Sequence, residues 1–349
     1  MAYTTIKKPS DYFNTKLYTG DGNSSQAITG VGFQPDLVWL KNRSDSTWHQ
    51  LIDAVRGTGS ANTLASNSNE GDGGGATNLY GFISAIGSDG FTVSAGTSNA
   101  SVVNHSGNNY ASWNWLASNT TASNTDGSIT STVSANTTSG FSIVSYTGTG
   151  SSMSVGHGLS QKPDIVIFKN RDAVVNWGVY TDLIDGSYDF LYLNETNAKA
   201  DSGSYSASAN TFSFSASSTV ANTSGEKVIA YCFHNVKGYS KIGTYIGNGN
   251  ADGTFVYTGF KPAFLMIKCF DNARSWVMWD TKRNPYNLST YGLLADTSDT
   301  ENSGYDVDLL SNGFKLRTTG SGENGSGFNY IYMAFAEEPL VGDNPATAR

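Results

Sequence analysis

Apolar residues along this chain gather into short unbroken runs that follow a proline. Pro35 precedes Leu37-Val38-Trp39-Leu40, Pro163 precedes Ile165-Val166-Ile167-Phe168, and Pro262 precedes Phe264-Leu265-Met266-Ile267. Each run is too short for a core helix and too uniformly apolar for a strand with one wet face, so it predicts a strand buried on both sides. Proline fixes φ and donates no hydrogen bond to a ladder, which places it where each strand begins.

The surroundings of these runs repeat as well. Tyr18-Thr19-Gly20, Tyr146-Thr147-Gly148 and Tyr245-Ile246-Gly247 each lie upstream, with the glycine 15 positions before the proline in all three. A Trp-to-Asp step follows each run: Trp48 to Asp53, Trp177 to Asp182, and Trp276 with Trp279 to Asp280. Next come strands centred on Phe91, Phe212 and Phe314, and last the aromatic strands 110–115, 228–233 and 330–335. A period of about one hundred residues is too long for a solenoid unit and points to tandem domains. The expected fold is all-β, with three tandem β-sandwich modules of jelly-roll or lectin-like type. A lead-in at 1–16 precedes repeats at 17–122, 123–237 and 238–349, the last carrying the C-terminal tail.

Composition sharpens this picture. Charged residues are only 14% of 349, Gly, Ser, Thr and Asn abound, and no stretch holds a 3.6-residue period, so strands and turns prevail over helices. The net charge of −8 argues against nucleic acid, whose binding rests on clustered Lys and Arg. No apolar run is long enough to span a bilayer and the first ten residues show no secretory pattern, so the expectation is a soluble protein made in a cytoplasm. Cys232 and Cys269 occupy non-equivalent positions and read as buried thiols. The lead-in reads either as an ordered strand or as a docking arm. The Gly-rich insert 67–76 reads as an exposed loop, and the Ser/Thr/Asn tract 118–139 as a linker with room for a short strand at Ile129 and Val133. The short connection 236–241 implies that the second and third repeats pack together, and the polar tail 341–349 reads as an extended contact or a loose end.

Candidate chemistry is sparse. His49, His105, His157 and His234 are scattered outside any nucleophile motif and read as structural. Asp182 with Asp185, and Asp306 with Asp308, are the carboxylate pairs that a glycan-cleaving enzyme would need. Asp296, Asp299 and Glu301 offer oxygen atoms for Ca²⁺ without the EF-hand spacing, so no metal and no cofactor is expected. Trp48, Trp177, Trp276 and Trp279, each near Asp53, Asp182 or Asp280, carry two readings: core packing, or an aromatic face and a carboxylate that together recognise sugar. Lys41, Arg43, Lys169 and Arg171 end the buried strands and read as structural ion pairs or as contacts to acidic glycans.

The most specific wording lies in the third repeat: Gly247-Asn248-Gly249-Asn250-Ala251-Asp252-Gly253, Asp280-Thr281-Lys282-Arg283-Asn284-Pro285-Tyr286-Asn287, and Tyr330 through Glu337. With Gly156-His157-Gly158-Leu159, the two Lys-Asn-Arg endings and the opening Tyr12-Phe13, it resembles tail and tail-fibre proteins of tailed bacteriophages, common among marine phages. The third repeat departs from the pattern with Lys268-Cys269-Phe270. The resemblance covers nearly the whole chain and carries over no catalytic residue. It implies a virion component synthesised in the host cytoplasm, assembling with other tail proteins and with copies of itself as a homotrimer. Its implied role is adhesion to a bacterial surface glycan or protein. The rivals are a non-adhesive tail or capsid decoration and, less favoured, a glycan depolymerase.

Overall fold

The structure, a computed structural model, describes residues 4–75, 77–342 and 345–346. Ala76 of the polar insert, residues 1–3 of the lead-in, and residues 343, 344 and 347–349 of the tail lie outside the described residues. The fold is all-β. The first repeat contains β1 (Phe13–Thr19), β2 (Ser25–Thr29), β3 (Leu37–Asn42), β4 (Gln50–Asp53), β5 (Phe82–Gly87), β6 (Gly90–Ser94) and β7 (Asn109–Trp115). In the second are β8 (Ala122–Asn124), β9 (Ser131–Asn136), β10 (Phe141–Thr147), β11 (Met153–Gly156), β12 (Ile165–Asn170) and β13 (Gly178–Thr181). It continues with β14 (Asp189–Tyr192), β15 (Ala200–Asp201), β16 (Tyr205–Ala207), β17 (Thr211–Phe214) and β18 (Lys227–Phe233). The third holds β19 (Ser240–Ile246), β20 (Phe255–Tyr257), β21 (Phe260–Cys269), β22 (Trp276–Asp280), β23 (Ser289–Leu294), β24 (Asn302–Leu310), β25 (Gly313–Leu316) and β26 (Asn329–Pro339).

In every repeat the run after proline (β3, β12, β21) is a central strand. It lies antiparallel between the aromatic closing strand (β7, β18, β26) and the strand of the Trp-to-Asp step (β4, β13, β22). The first two repeats add an outer three-stranded sheet, ordered β2-β6-β5 and β11-β17-β16. The third instead runs as one eight-stranded sheet from β19 to β20 that bends around its own core.

Alternation along the central strands explains their unbroken apolar sequence, because successive side chains leave a strand on opposite faces. Val38 and Leu40 face the core of the first repeat, Val166 and Phe168 that of the second, and Leu265 and Ile267 that of the third. Leu37 and Trp39, Ile165 and Ile167, and Phe264 and Met266 all enter one further core shared by the three repeats. Trp115, Phe233 and Phe335 occupy matching places at the ends of the closing strands. Their ring centroids lie 6.4, 5.6 and 5.8 Å apart pairwise, so the three repeats surround a pseudo-three-fold axis. The end-to-end arrangement that tandem copies suggest is replaced by this ring.

Other expectations change for local reasons. Pro262 is the third residue of β21, tolerated because the ladder shifts register on both sides of it, whereas β3 and β12 begin after their prolines. The polar tract 118–139 supplies β8 and β9, which extend the second repeat's sheet with Val133 buried. The lead-in folds onto its own chain: Ile6 enters the shared core, Tyr12 packs edge-on against Tyr239, and β1 starts at Phe13, before the boundary drawn at residue 17. Residues 67–75 of the insert are mostly half-buried rather than exposed, because Asp72 donates its backbone N–H to Arg171 of the second repeat. Both cysteines are buried free thiols.

The repeated Tyr-x-Gly is a turn clamp. A Cβ on Gly20, Gly148 or Gly247 would lie 2.2, 2.3 or 2.4 Å from a backbone oxygen of the loop before the closing strand. Tyr18, Tyr146 and Tyr245 donate to Val103, Ala221 and Glu323 carbonyls of that loop, and the next residues, Asn104, Asn222 and Asn324, accept from the N–H after each glycine.

Candidate functional site

Strand pairing sets which residues correspond at the Trp-to-Asp step. Leu37 pairs with Asp53 and Phe264 with Asp280, while in the second repeat the partner beside Ile165 is Thr181. The matching set is therefore Asp53, Thr181 and Asp280, and the ring residues four positions earlier are His49, Trp177 and Trp276. Trp48 and Asp182, which equal spacing had joined to these sets, each sit one residue out of step.

This register builds a cyclic contact. Trp177 Nε1 donates to the Ala65 carbonyl of the first repeat at 2.9 Å, and Trp276 Nε1 to Tyr192 of the second at 2.8 Å. His49 Nε2 meets Leu294 of the third at 3.0 Å, closing the circle. Trp39 donates to His49 Nδ1, so the His49 proton resides on Nε2 and a second proton would face the Trp39 N–H; burial likewise lowers its pKa well below the ordinary value.

The lysines repeat the pattern. Lys41, Lys169 and Lys268 donate to the carbonyls of Ser298, Asn69 and Thr196, each in the neighbouring repeat, at 3.0, 3.2 and 2.8 Å. Burial pushes Lys41 down to about 7 and Lys169 and Lys268 to about 8, against nearby carboxylates that hold them up.

The arginines divide the three junctions into two kinds. Asp53 pairs with Arg56 at 2.5 Å and accepts from Tyr231 of the second repeat at 2.8 Å, and Asp72 bridges Arg56 and Arg171. Asp280 pairs with Arg283 at 2.5 Å and accepts from Trp113 of the first repeat at 3.0 Å, and Glu301 bridges Arg283 and Arg43. At the third junction the matching positions hold Thr181, Ile184 and Met333, Phe270 replaces the arginine, and Lys199 replaces the bridging acid. One backbone bond survives in all three: Asp72, Lys199 and Glu301 donate to Arg171, Phe270 and Arg43.

Several of the remaining candidates are also engaged. Trp279 lies in the third repeat's own core, donating to Tyr305. Asp182 pairs with Lys162, and Asp308 with Arg317. Asp296 accepts from the Trp276 backbone while Glu301 bridges arginines, so the two do not face a common cation. Asp185, Asp189 and Asp201 come within 4.8 Å of one another, but the Lys199 ammonium reaches all three and supplies the positive charge there.

Among the tryptophans read from the sequence as ligand candidates, Trp48 alone is not fully buried. It lines a cleft of about 390 Å³ with Ser46, Glu70 and Tyr80, the last 38% exposed. Gly75, at φ +76°, lies so close over the indole that a Cβ would meet Cε3 at 2.3 Å, and its N–H donates to Glu70 Oε2 at 2.6 Å. The Thr47 hydroxyl beside them is buried without a partner. Aromatic surface, a carboxylate and hydroxyls thus converge on one cleft, a set suited to holding a sugar ring.

Residues 8–339 match the model of a family described as a domain of unknown function, DUF7483, and the chain belongs to that family. No curated protein sequence matches it.

Proposed function

We propose that this chain is a non-enzymatic virion protein of a tailed phage, a tail-fibre component that mediates or supports adhesion to a bacterial surface glycan. The observation that carries the adhesive reading is the cleft where Trp48 and Tyr80 stand beside Glu70. Binding is favoured over cleavage because three of the four carboxylates considered for hydrolysis, Asp182, Asp185 and Asp308, are each held in an ion pair with a lysine or arginine, which breaks both candidate pairs. We read the repeats as three fused sandwich modules arranged around the shared core. Assembly into a homotrimer and with other tail proteins belongs to the same proposal, and such contacts use outer surfaces because the junctions are closed within the chain.

The test is binding of purified protein to lipopolysaccharides and whole cells from a panel of bacteria, with Trp48→Ala beside it. Saturable binding that falls about tenfold or more in the variant supports the reading. No binding to any member favours the non-adhesive decoration, and release of reducing ends identifies a depolymerase.

A further inference from the structure

The third repeat departs from the other two where its closing strand runs on. β26 has 11 residues against 7 in β7 and in β18, and β21 starts at Phe260, ahead of Phe264, which matches the first residues of β3 and β12. The added ladder contains Pro262 and its two register shifts. Two clefts of about 580 and 280 Å³ open there, sharing Thr281, Lys282 and Glu337, with the lead-in forming one wall.

Three features point to a ligand. Thr15 and Thr281, only 5% and 3% exposed, line the smaller cleft, and their buried hydroxyls have no hydrogen-bond partner. A buried polar group in that state has given up water without gaining a bond, a loss that a partner from outside would recover. Tyr286, 81% exposed, stands over the larger cleft. The charged lining residues, Lys261, Lys282, Glu337 and Glu338, sum to zero, and Lys261 pairs with Glu337 at 2.9 Å. A lining without net charge selects against phosphate and carboxylate ligands.

We propose that these two adjoining clefts together bind an uncharged, hydroxyl-rich saccharide, with Thr15 and Thr281 bonding hydroxyls in the smaller and Tyr286 stacking on a pyranose ring in the larger. The proposal rests on the glycan-adhesion reading and adds to it a second subsite, built from the third repeat and the lead-in.

The test is saturation-transfer NMR and calorimetric titration with maltotriose and N-acetylchitotriose, and with glucose 6-phosphate as the charged comparison. At least one neutral probe is expected to bind, with affinity about tenfold weaker in Tyr286→Ala and in Thr281→Val, while stability is unchanged in the first and equal or higher in the second, which loses an unpartnered buried hydroxyl. Thr281→Val keeps the side-chain shape and removes only the hydroxyl. Tighter binding of glucose 6-phosphate overturns the ligand class. Binding lost in Trp48→Ala alone overturns this subsite and leaves the adhesive cleft standing. Loss confined to the Tyr286 and Thr281 variants supports the subsite and removes Trp48 from adhesion, and failure of both neutral probes overturns the subsite.

Discussion

The junction between the second and third repeats makes the same backbone contact as the other two without their charges. At the first–second and third–first junctions an aspartate, two arginines and a bridging acid meet a Tyr or Trp donor. At the second–third junction Thr181, Ile184, Met333 and Phe270 fill the corresponding space, and the backbone N–H of Lys199 still reaches the Phe270 carbonyl. The ring geometry therefore comes from strand pairing, apolar burial and a few main-chain bonds, and the ion networks are two variants laid on it. Buried ion pairs carry a desolvation cost that can cancel their attraction, and an apolar set of similar volume is often as stable.

The largest expected effect breaks one charged junction. Asp280→Ala leaves Arg283 Nε and the Trp113 N–H without their shared acceptor, with Glu301 the remaining carboxylate on Arg283, and thermal or urea unfolding should show a loss of about 3 kcal/mol or more. Glu323 sharpens the contrast between repeats, since Val103 and Ala221 hold its place in the other two. Burial raises its carboxyl from the ordinary 4.5 to about 7. Its folded pKa is the higher one, so the stability linked to its proton is present below pH 4.5 and lost as pH rises through about 7. Glu323→Val should therefore stabilise the protein at pH 8 by about 2–3 kcal/mol and little at pH 4, read from urea midpoints at both.

Transplanting the apolar junction is expected to be milder than any single break. Asp53→Thr with Arg56→Ile and Tyr231→Met copies Thr181, Ile184 and Met333, and should remain within about 1–2 kcal/mol of the parent. Asp53→Thr alone, which leaves the buried Arg56 with Asp72 as its one carboxylate, should cost more than the triple. The smallest effect concerns His49, whose pKa is depressed by burial. Its contribution is present above pH 6.5 and lost as pH falls towards the folded pKa, so His49→Phe should cost about 1 kcal/mol at pH 7.5 and progressively less below pH 6.

Strand identity was open to view in the sequence because a doubly buried strand is apolar at every position, and the run at 37–40 could hardly be anything else. Register was not. Equal spacing joined Trp48 to Trp177, yet a one-residue shift sends a side chain to the opposite face, and the true counterpart of Trp177 is His49, a residue of different type. The shared core was hidden because the two faces of β3, β12 and β21 are equally apolar, so nothing in their order says that one face meets other repeats. The clamp asparagines Asn104, Asn222 and Asn324 recur at fixed distances before the closing strands and could have been found as a fourth repeated element. The cleft of Thr15 and Thr281 left no local signal, since its walls come from opposite ends of the chain.

Calorimetry of the intact chain at pH 7.5 tests most directly whether three repeats form one closed ring around a common core. One unfolding transition, with calorimetric and van't Hoff enthalpies equal, is the expected result. Three separable transitions, each with the enthalpy of a domain of about one hundred residues, would contradict it.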